Sequence, residues 1–171
     1  DEKDTFITEP DNGIYDALNK GLKIATGDVI AFLHSDDIYS NSFVLSSVIE
    51  RFQDQKTDIV YGDISFFYPG KPSKIIRKYK SDKLSRKNLA WGKMPAHPSM
   101  FIKRNLYIEV GFFKINYDIA ADYEFLCRAV NSKVLTTIYV PKIFVKMQLG
   151  GKSTLGIKNT ILLNKEVLRA I

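Results

Sequence analysis

The chain has 171 residues, 45% of them hydrophobic and 26% charged, with a net charge of +6. That length suits one domain with a proper core and is short for two, and no window approaches the roughly 18 apolar residues of a membrane-spanning helix. The opening "DEKDTFITEP" is too acidic and polar to read as a signal peptide, and the single cysteine, Cys127, excludes an internal disulfide and reads as a small buried hydrophobe.

Along the chain, "TFIT" (residues 5–8) reads as a short strand and "EPDNG" after it as a turn. Ile14, Ala17, Leu18, Leu22 and Ala25 recur at helical spacing, and Gly27 stands where a C-terminal cap belongs, which predicts a helix over 13–26. Residues 29–33 form a strand apolar enough to be buried on both faces, and it runs into two adjacent carboxylates, Asp36 and Asp37. Leu45, Val48, Ile49 and Phe52 mark the next helix, and residues 58–67 the next strand. Pro69 and Gly70 turn the chain into a strand near 75–79. A strand over 98–104, a short helix over 105–110 ended by Gly111, and a helix over 119–131 follow. Strands over 135–140 and 143–148, the stretch "GGKS" and a helix over 156–171 complete the pattern. Strands alternating with helices predict an α/β domain with a mostly parallel central sheet.

The charge is unevenly spread. Between Lys71 and Lys93 stand nine basic residues against one acid, Asp82, so this segment carries +8 and the rest of the chain sums to −2. Such a concentration suits an anionic partner (nucleic acid, an acidic membrane surface or a phosphorylated substrate), or else a solvated basic loop.

In open α/β sheets, ligands bind outside the carboxyl ends of the strands, which is where Asp36 and Asp37 stand. Adjacent ionised carboxylates repel, and partial burial disfavours their charge further. A divalent cation removes both penalties, and Mg²⁺ is typically held by one or two carboxylates, with phosphate oxygens and water completing its shell. The pair therefore reads as a metal–diphosphate site or as acids favouring the start of the following helix.

The stretch "EPDNGIYDALNKGLKIATGDVIAFLHSDD" (9–37) resembles the family 2 glycosyltransferases of bacterial polysaccharide assembly, with "SDD" (35–37) as a variant of their DxD motif. The resemblance continues in order through "VYGDI" (60–64), "HPSMFIKR" (97–104), "ADYEFLCR" (121–128) and "GGKS" (150–153). It implies a GT-A fold, with residues 1–171 as a single domain. It also implies inverting transfer of a sugar from a nucleotide-diphosphate donor, a UDP-sugar foremost, to a glycan or lipid-linked acceptor in surface polysaccharide synthesis. By this resemblance Asp37 holds a Mg²⁺ or Mn²⁺ bridging the diphosphate, and Asp36 supports the ribose or the metal's waters. Asp122 matches the base that takes the acceptor's proton, where pattern alone would favour a helix N-cap acid. Asp11, Asp16 and Lys20 match the turn and helix near the donor, although Asp16 and Lys20 also suit a solvated helix face. His97 matches the acceptor-side motif, where it would touch the acceptor or the diphosphate or make a structural hydrogen bond; His34 reads as structural.

The family's first strand–helix–strand unit, which holds much of the base and ribose, has no counterpart here. The sequence therefore reads as a GT-A domain lacking its first βαβ unit. Residues 71–93 then suit peripheral contact with the inner face of the plasma membrane by a cytoplasmic enzyme. Nucleic acid is not expected, because the basic run lacks regular aromatic interleaving and no recognition helix appears. The competing readings are an inactive or binding-only fragment, a basic nucleic-acid-binding module, and a different Mg²⁺ enzyme of the phosphatase kind.

Overall fold

The structure, a computed structural model, describes residues 4–81, 83–150 and 156–171. Gly13, at a φ of 111° that favours glycine, starts α1 (Ile14–Ile24). Then come β1 (Val29–Ala31), β2 (Ile38–Tyr39), α2 (Val44–Arg51), β3 (Ile59–Phe67), β4 (Ile75–Tyr79) and α3 (Arg86–Ala90). A short 3-10 helix (His97–Ser99) leads into β5 (Met100–Lys103), α4 (Arg104–Val110), α5 (Ala121–Ser132), β6 (Thr137–Gln148) and α6 (Gly156–Ala170).

The strands form one sheet in the order β1-β5-β3-β6-β2, with β4 beside β3. It is an α/β sheet flanked by helices, as expected, but it is mixed rather than mostly parallel. Only β3 and β6 run parallel; the other pairings are antiparallel. Hydrophobic runs carry no direction, and β5 slips between β1 and β3 running against both.

Alternation along β3 builds a core on each face. Ile59 and Tyr61 join Leu22, Leu106, Phe125 and Leu126 from the helices on one side, and Val60, Ile64 and Phe66 join Val44 and Val48 of α2 on the other. A Cβ at Gly62 would sit 2.7 Å from both the Lys142 carbonyl oxygen and the Phe144 ring. Glycine is what lets β6 come this close. The two strands expected at 135–140 and 143–148 are one, with a bulge near Pro141: partners step from Tyr61–Tyr139 to Asp63–Ile143.

Four local expectations change. Residues 5–8 form no strand, and Phe6 is exposed. The inner face of α1 carries Tyr15, Asn19 and Leu22, while Ile14 and Ala17 face outward. Polar Asn19 can be buried because its amide bonds both the carbonyl and the N–H of Phe113, at 2.8 and 3.0 Å. The helix closes through Ala25 N–H on the Gly21 carbonyl, so Gly27 is not its left-handed cap. Finally, β1 stops at Ala31 and buries only Ile30, because Val29 and Ala31 face a cavity of about 520 Å³ under Leu45, Ile49 and Phe52.

All nine basic residues between Lys71 and Lys93 are exposed, on β4, α3 and the segments around them. Most of "GGKS", from Gly151 to Ser153, lies outside the described residues. Among the described residues no helix is long and apolar enough to cross a membrane.

Candidate active site

A cavity of about 410 Å³ opens beyond the end of β1, and its wall brings together His34, Asp36, Asp37, His97 and Asp122. Three strands position the acids. The chain leaves β1, turns with Asp37 N–H on the His34 carbonyl at 3.0 Å, and enters β2. Because β2 pairs with the far end of β6, Gln148 N–H reaches Asp37 Oδ1 at 3.3 Å.

The two neighbouring carboxylates part company here. Asp36 is exposed, whereas Asp37 is buried, and its Oδ2 has no hydrogen-bond partner. It is the only carboxylate among the buried side-chain atoms left unpartnered in the described residues. Burial pushes the Asp37 carboxyl above its ordinary range; Gln148 N–H and His34 oppose that shift, and Asp36 adds to it. A buried carboxylate oxygen with no donor suits a hard cation. No group of three or more metal-binding side chains lies among the described residues. Asp37, with Asp36 beside it in sequence, therefore fits a cation that takes most of its ligands from outside these side chains.

On the opposite side of the sequence, Asp122 sits in the first turn of α5. It is not the N-cap; that position is Ala120, which makes no side-chain cap. Asp122 Oδ1 accepts from the Tyr15 hydroxyl at 3.0 Å and from Tyr123 N–H at 2.9 Å. The same Tyr15 hydroxyl lies 2.5 Å from the Ile119 carbonyl, so its one proton is shared between the two oxygens. Burial first, then the Asp122 carboxylate, holds the phenol far above its usual range, so it remains a donor. Glu124, two residues on, is buried and ion-paired to Lys114 at 2.7 Å and to Arg128 at 2.8 Å.

The His97 ring stacks on Phe32 at 5.6 Å and meets the edge of Phe113 at 5.8 Å. Desolvation holds its imidazole below the ordinary value against the pull of Asp122, so it is neutral at pH 7. His34, expected to be structural, lines the cavity because β1 ends three residues before it.

Asp11, Asp16 and Lys20 do not line this cavity. Asp11 accepts from Gly13 N–H and Asp16 from Asn12 N–H, both at 2.9 Å. Lys20 bonds the Pro10 carbonyl at 2.5 Å and pairs with Glu9 at 3.1 Å and Asp16 at 3.6 Å. Together they tie the turn of residues 9–13 onto α1.

Tyr15 of the cavity wall and Glu166, which bonds the segment behind it, do not stand out in the sequence. Tyr15 carried a signal, a tyrosine among apolar helix positions whose hydroxyl needs a partner once buried. Glu166 of α6 carried none: it is buried, and accepts from the N–H groups of Asp118, Ile119 and Ala120 at 2.7, 2.9 and 2.8 Å.

The family model described as "Glycosyl transferase family 2" matches residues 2–111. A "PGL/p-HBAD biosynthesis glycosyltransferase" of Mycobacterium bovis (strain BCG / Pasteur 1173P2) is 29% identical over 164 residues, covering 95% of this chain and 59% of that protein. An uncharacterized glycosyltransferase of Mycobacterium tuberculosis (strain ATCC 25618 / H37Rv) is 32% identical over 126 residues, covering 71% of this chain and 46% of that one. The chain thus spans about half the length of the relatives it matches. Among solved structures, S. aureus TarS 1-349 in complex with UDP-GlcNAc superposes with a TM-score of 0.63 at 14% identity, covering 93% of this chain and 47% of that one. The mannosyltransferase PcManGT from Pyrobaculum calidifontis, in complex with GDP-Man and Mn²⁺, gives 0.53 at 18% identity, covering 83% and 38%. At such identities the two structures speak to the fold alone.

Proposed function

We propose that this chain, which belongs to glycosyl transferase family 2, is a GT-A domain moving a sugar from a nucleotide-diphosphate donor to an acceptor hydroxyl with inversion. The observation that carries the reading is one cavity walled by a buried, half-partnered carboxylate, Asp37, and by Asp122. A UDP-sugar donor is favoured, since a fold neighbour binds UDP and UDP-GlcNAc, and a divalent cation fits a fold whose other neighbour holds GDP-Man with Mn²⁺.

Asp37 Oδ2, with Asp36 beside it, would hold Mg²⁺ or Mn²⁺. When bound, the cation supplies charge neutralisation for the departing diphosphate. Asp122 takes the acceptor's proton: Oδ1 is engaged by Tyr15 and Tyr123, and Oδ2 is the oxygen for the hydroxyl. A single displacement at the anomeric carbon inverts it. Neutral His97, wedged between Phe32 and Phe113, offers a hydrogen bond to acceptor or diphosphate without adding charge. Asp11, Asp16 and Lys20 serve the donor indirectly by fixing the turn ahead of α1.

The acceptor is a glycan or lipid-linked saccharide. The exposed basic run of 71–93 rests against an anionic lipid surface at the cytoplasmic face of the membrane. Phe67, the last residue of β3, pairs with Gln148 in the cavity wall, and the turn that follows it, closed by Lys71 N–H on the Tyr68 carbonyl at 2.9 Å, leads into the charged hairpin.

Calorimetric titration with UDP, with and without Mn²⁺, tests the site. D37A is expected to abolish the metal-dependent part of UDP binding, and D122N to bind UDP as the parent does while losing sugar transfer. Parental transfer by D122N would remove Asp122 from its role as base.

A further inference from the structure

We infer that Glu166 is a positioning residue for sugar transfer, acting through Asp122; this rests on the base role proposed for Asp122. Burying a carboxylate is costly unless its lone pairs are met, and Glu166 is only 5% exposed. Its Oε1 accepts from Asp118 N–H at 2.7 Å, and its Oε2 accepts from Ile119 N–H at 2.9 Å and Ala120 N–H at 2.8 Å. These three amides belong to the segment that runs directly into α5 and delivers Asp122.

That segment has no strand or helix to hold it. Side chains from two distant helices do so instead. Arg169, one turn beyond Glu166 on α6, bonds the Asn116 carbonyl at 2.7 Å and stacks on the Tyr117 ring at 3.8 Å. From α1, Tyr15 grips the Ile119 carbonyl and Asp122 itself. Asp118 and Ile119 also form part of the cavity wall, so where this segment lies decides both the wall and the direction of the Asp122 carboxylate.

The chemistry requires a carboxylate rather than any polar group. Both oxygens must accept, because every partner is an N–H. An amide would turn an N–H donor toward an N–H donor on one side and free the segment there. Small displacements of a reacting group cost large factors in rate, so the consequence falls on turnover more than on donor binding.

The test measures UDP release from UDP-N-acetylglucosamine and UDP affinity with Mn²⁺ for E166Q, E166D, D122N and the E166Q/D122N pair. Hydrogen exchange of the 118–120 amides is followed alongside. The expected result for E166Q is a kcat at least tenfold below the parent, UDP affinity within twofold, and faster exchange at 118–120. E166D, which keeps the charge but withdraws it by one methylene, should lie between the two. The residual UDP release that D122N retains should not fall further when E166Q is added, since E166Q acts through the group already removed. E166Q turning over at the parental rate, beside an inactive D122N, overturns this inference and leaves the base reading standing. An equal loss in both backgrounds also overturns it, by assigning Glu166 to general stability. A D122N chain at the parental rate overturns the base reading, and this inference with it.

Discussion

Tyr15 and Asp122 lie 107 residues apart in sequence, and the tyrosine hydroxyl donates to the aspartate at 3.0 Å. One phenol thereby joins the helix after the first turn to the helix that carries the proposed base. Replacing Tyr15 by Phe keeps the ring against Phe113 but removes the one hydroxyl proton that the Ile119 carbonyl and Asp122 Oδ1 share. A loss of about 1–3 kcal/mol is expected, read as a lower urea midpoint at unchanged slope. Sugar transfer should fall while UDP affinity holds. A parental midpoint would show that the hydroxyl's two bonds contribute nothing net.

Asp37 ties stability to pH in a definite direction. Burial raises its pKa in the folded chain, so folding favours the protonated form. That contribution is complete below the ordinary carboxylate value of about 3.9, and is lost as pH rises through the raised folded value. At neutral pH the metal-free chain therefore folds against the desolvation of this carboxylate. D37N should melt higher than the parent at pH 7 in EDTA, with the gap closing as pH falls toward 4. Excess Mn²⁺ and UDP should reverse the order at pH 7, because only the parent gains the metal-dependent part of UDP binding. A D37N chain less stable than the parent in EDTA at pH 7 would mean that the Gln148 bond outweighs the burial of charge.

The basic hairpin predicts a salt-sensitive attachment. Lys74, Lys78 and Lys80 are exposed, while Arg77 is already engaged over the Phe66 ring at 4.4 Å. Each lysine near an anionic bilayer contributes about 1 kcal/mol. Reversing all three to Glu should therefore abolish cosedimentation with phosphatidylglycerol-containing vesicles at low salt. Phosphatidylcholine vesicles should recover neither protein. Equal recovery of parent and variant on the anionic vesicles would free the segment from a membrane role, and a steep salt-dependent retention on single-stranded DNA would move it to nucleic acid.

Much of the architecture is legible in the sequence because it depends on periodicity. The helices α2, α4, α5 and α6 and the long strand β3 fall where the sequence pattern puts them, although α2 buries Val44 and Val48 and leaves Leu45 and Ile49 exposed. Strand direction is not legible, because Met100 to Lys103 is equally apolar whichever way it runs, and only the pairing with β1 and β3 fixes it. For the site, the neighbouring carboxylates Asp36 and Asp37 are conspicuous in sequence, yet their difference in burial arises from the β2–β6 pairing and appears only in three dimensions. Glu166 is further from reach. On a helix with ordinary acidic and basic residues, nothing local separates a surface glutamate from one that accepts three backbone amides.

The bulge opposite Gly62 gives β6 extra length at its middle. From Tyr139 to Val145 the strand takes six steps while β3 takes three, from Tyr61 to Ile64. Below the bulge, residues 137–139 hold register with 59–61 in the core; above it, the strand ends at Met147 and Gln148 in the cavity wall. A length change elsewhere in a strand turns every later side chain to the opposite face. Here the ladder is already interrupted, so the count of residues on β6 is not fixed by pairing with β3. The residue count above the bulge, and with it the cavity wall at Met147 and Gln148, is thereby uncoupled from the register of the core beneath.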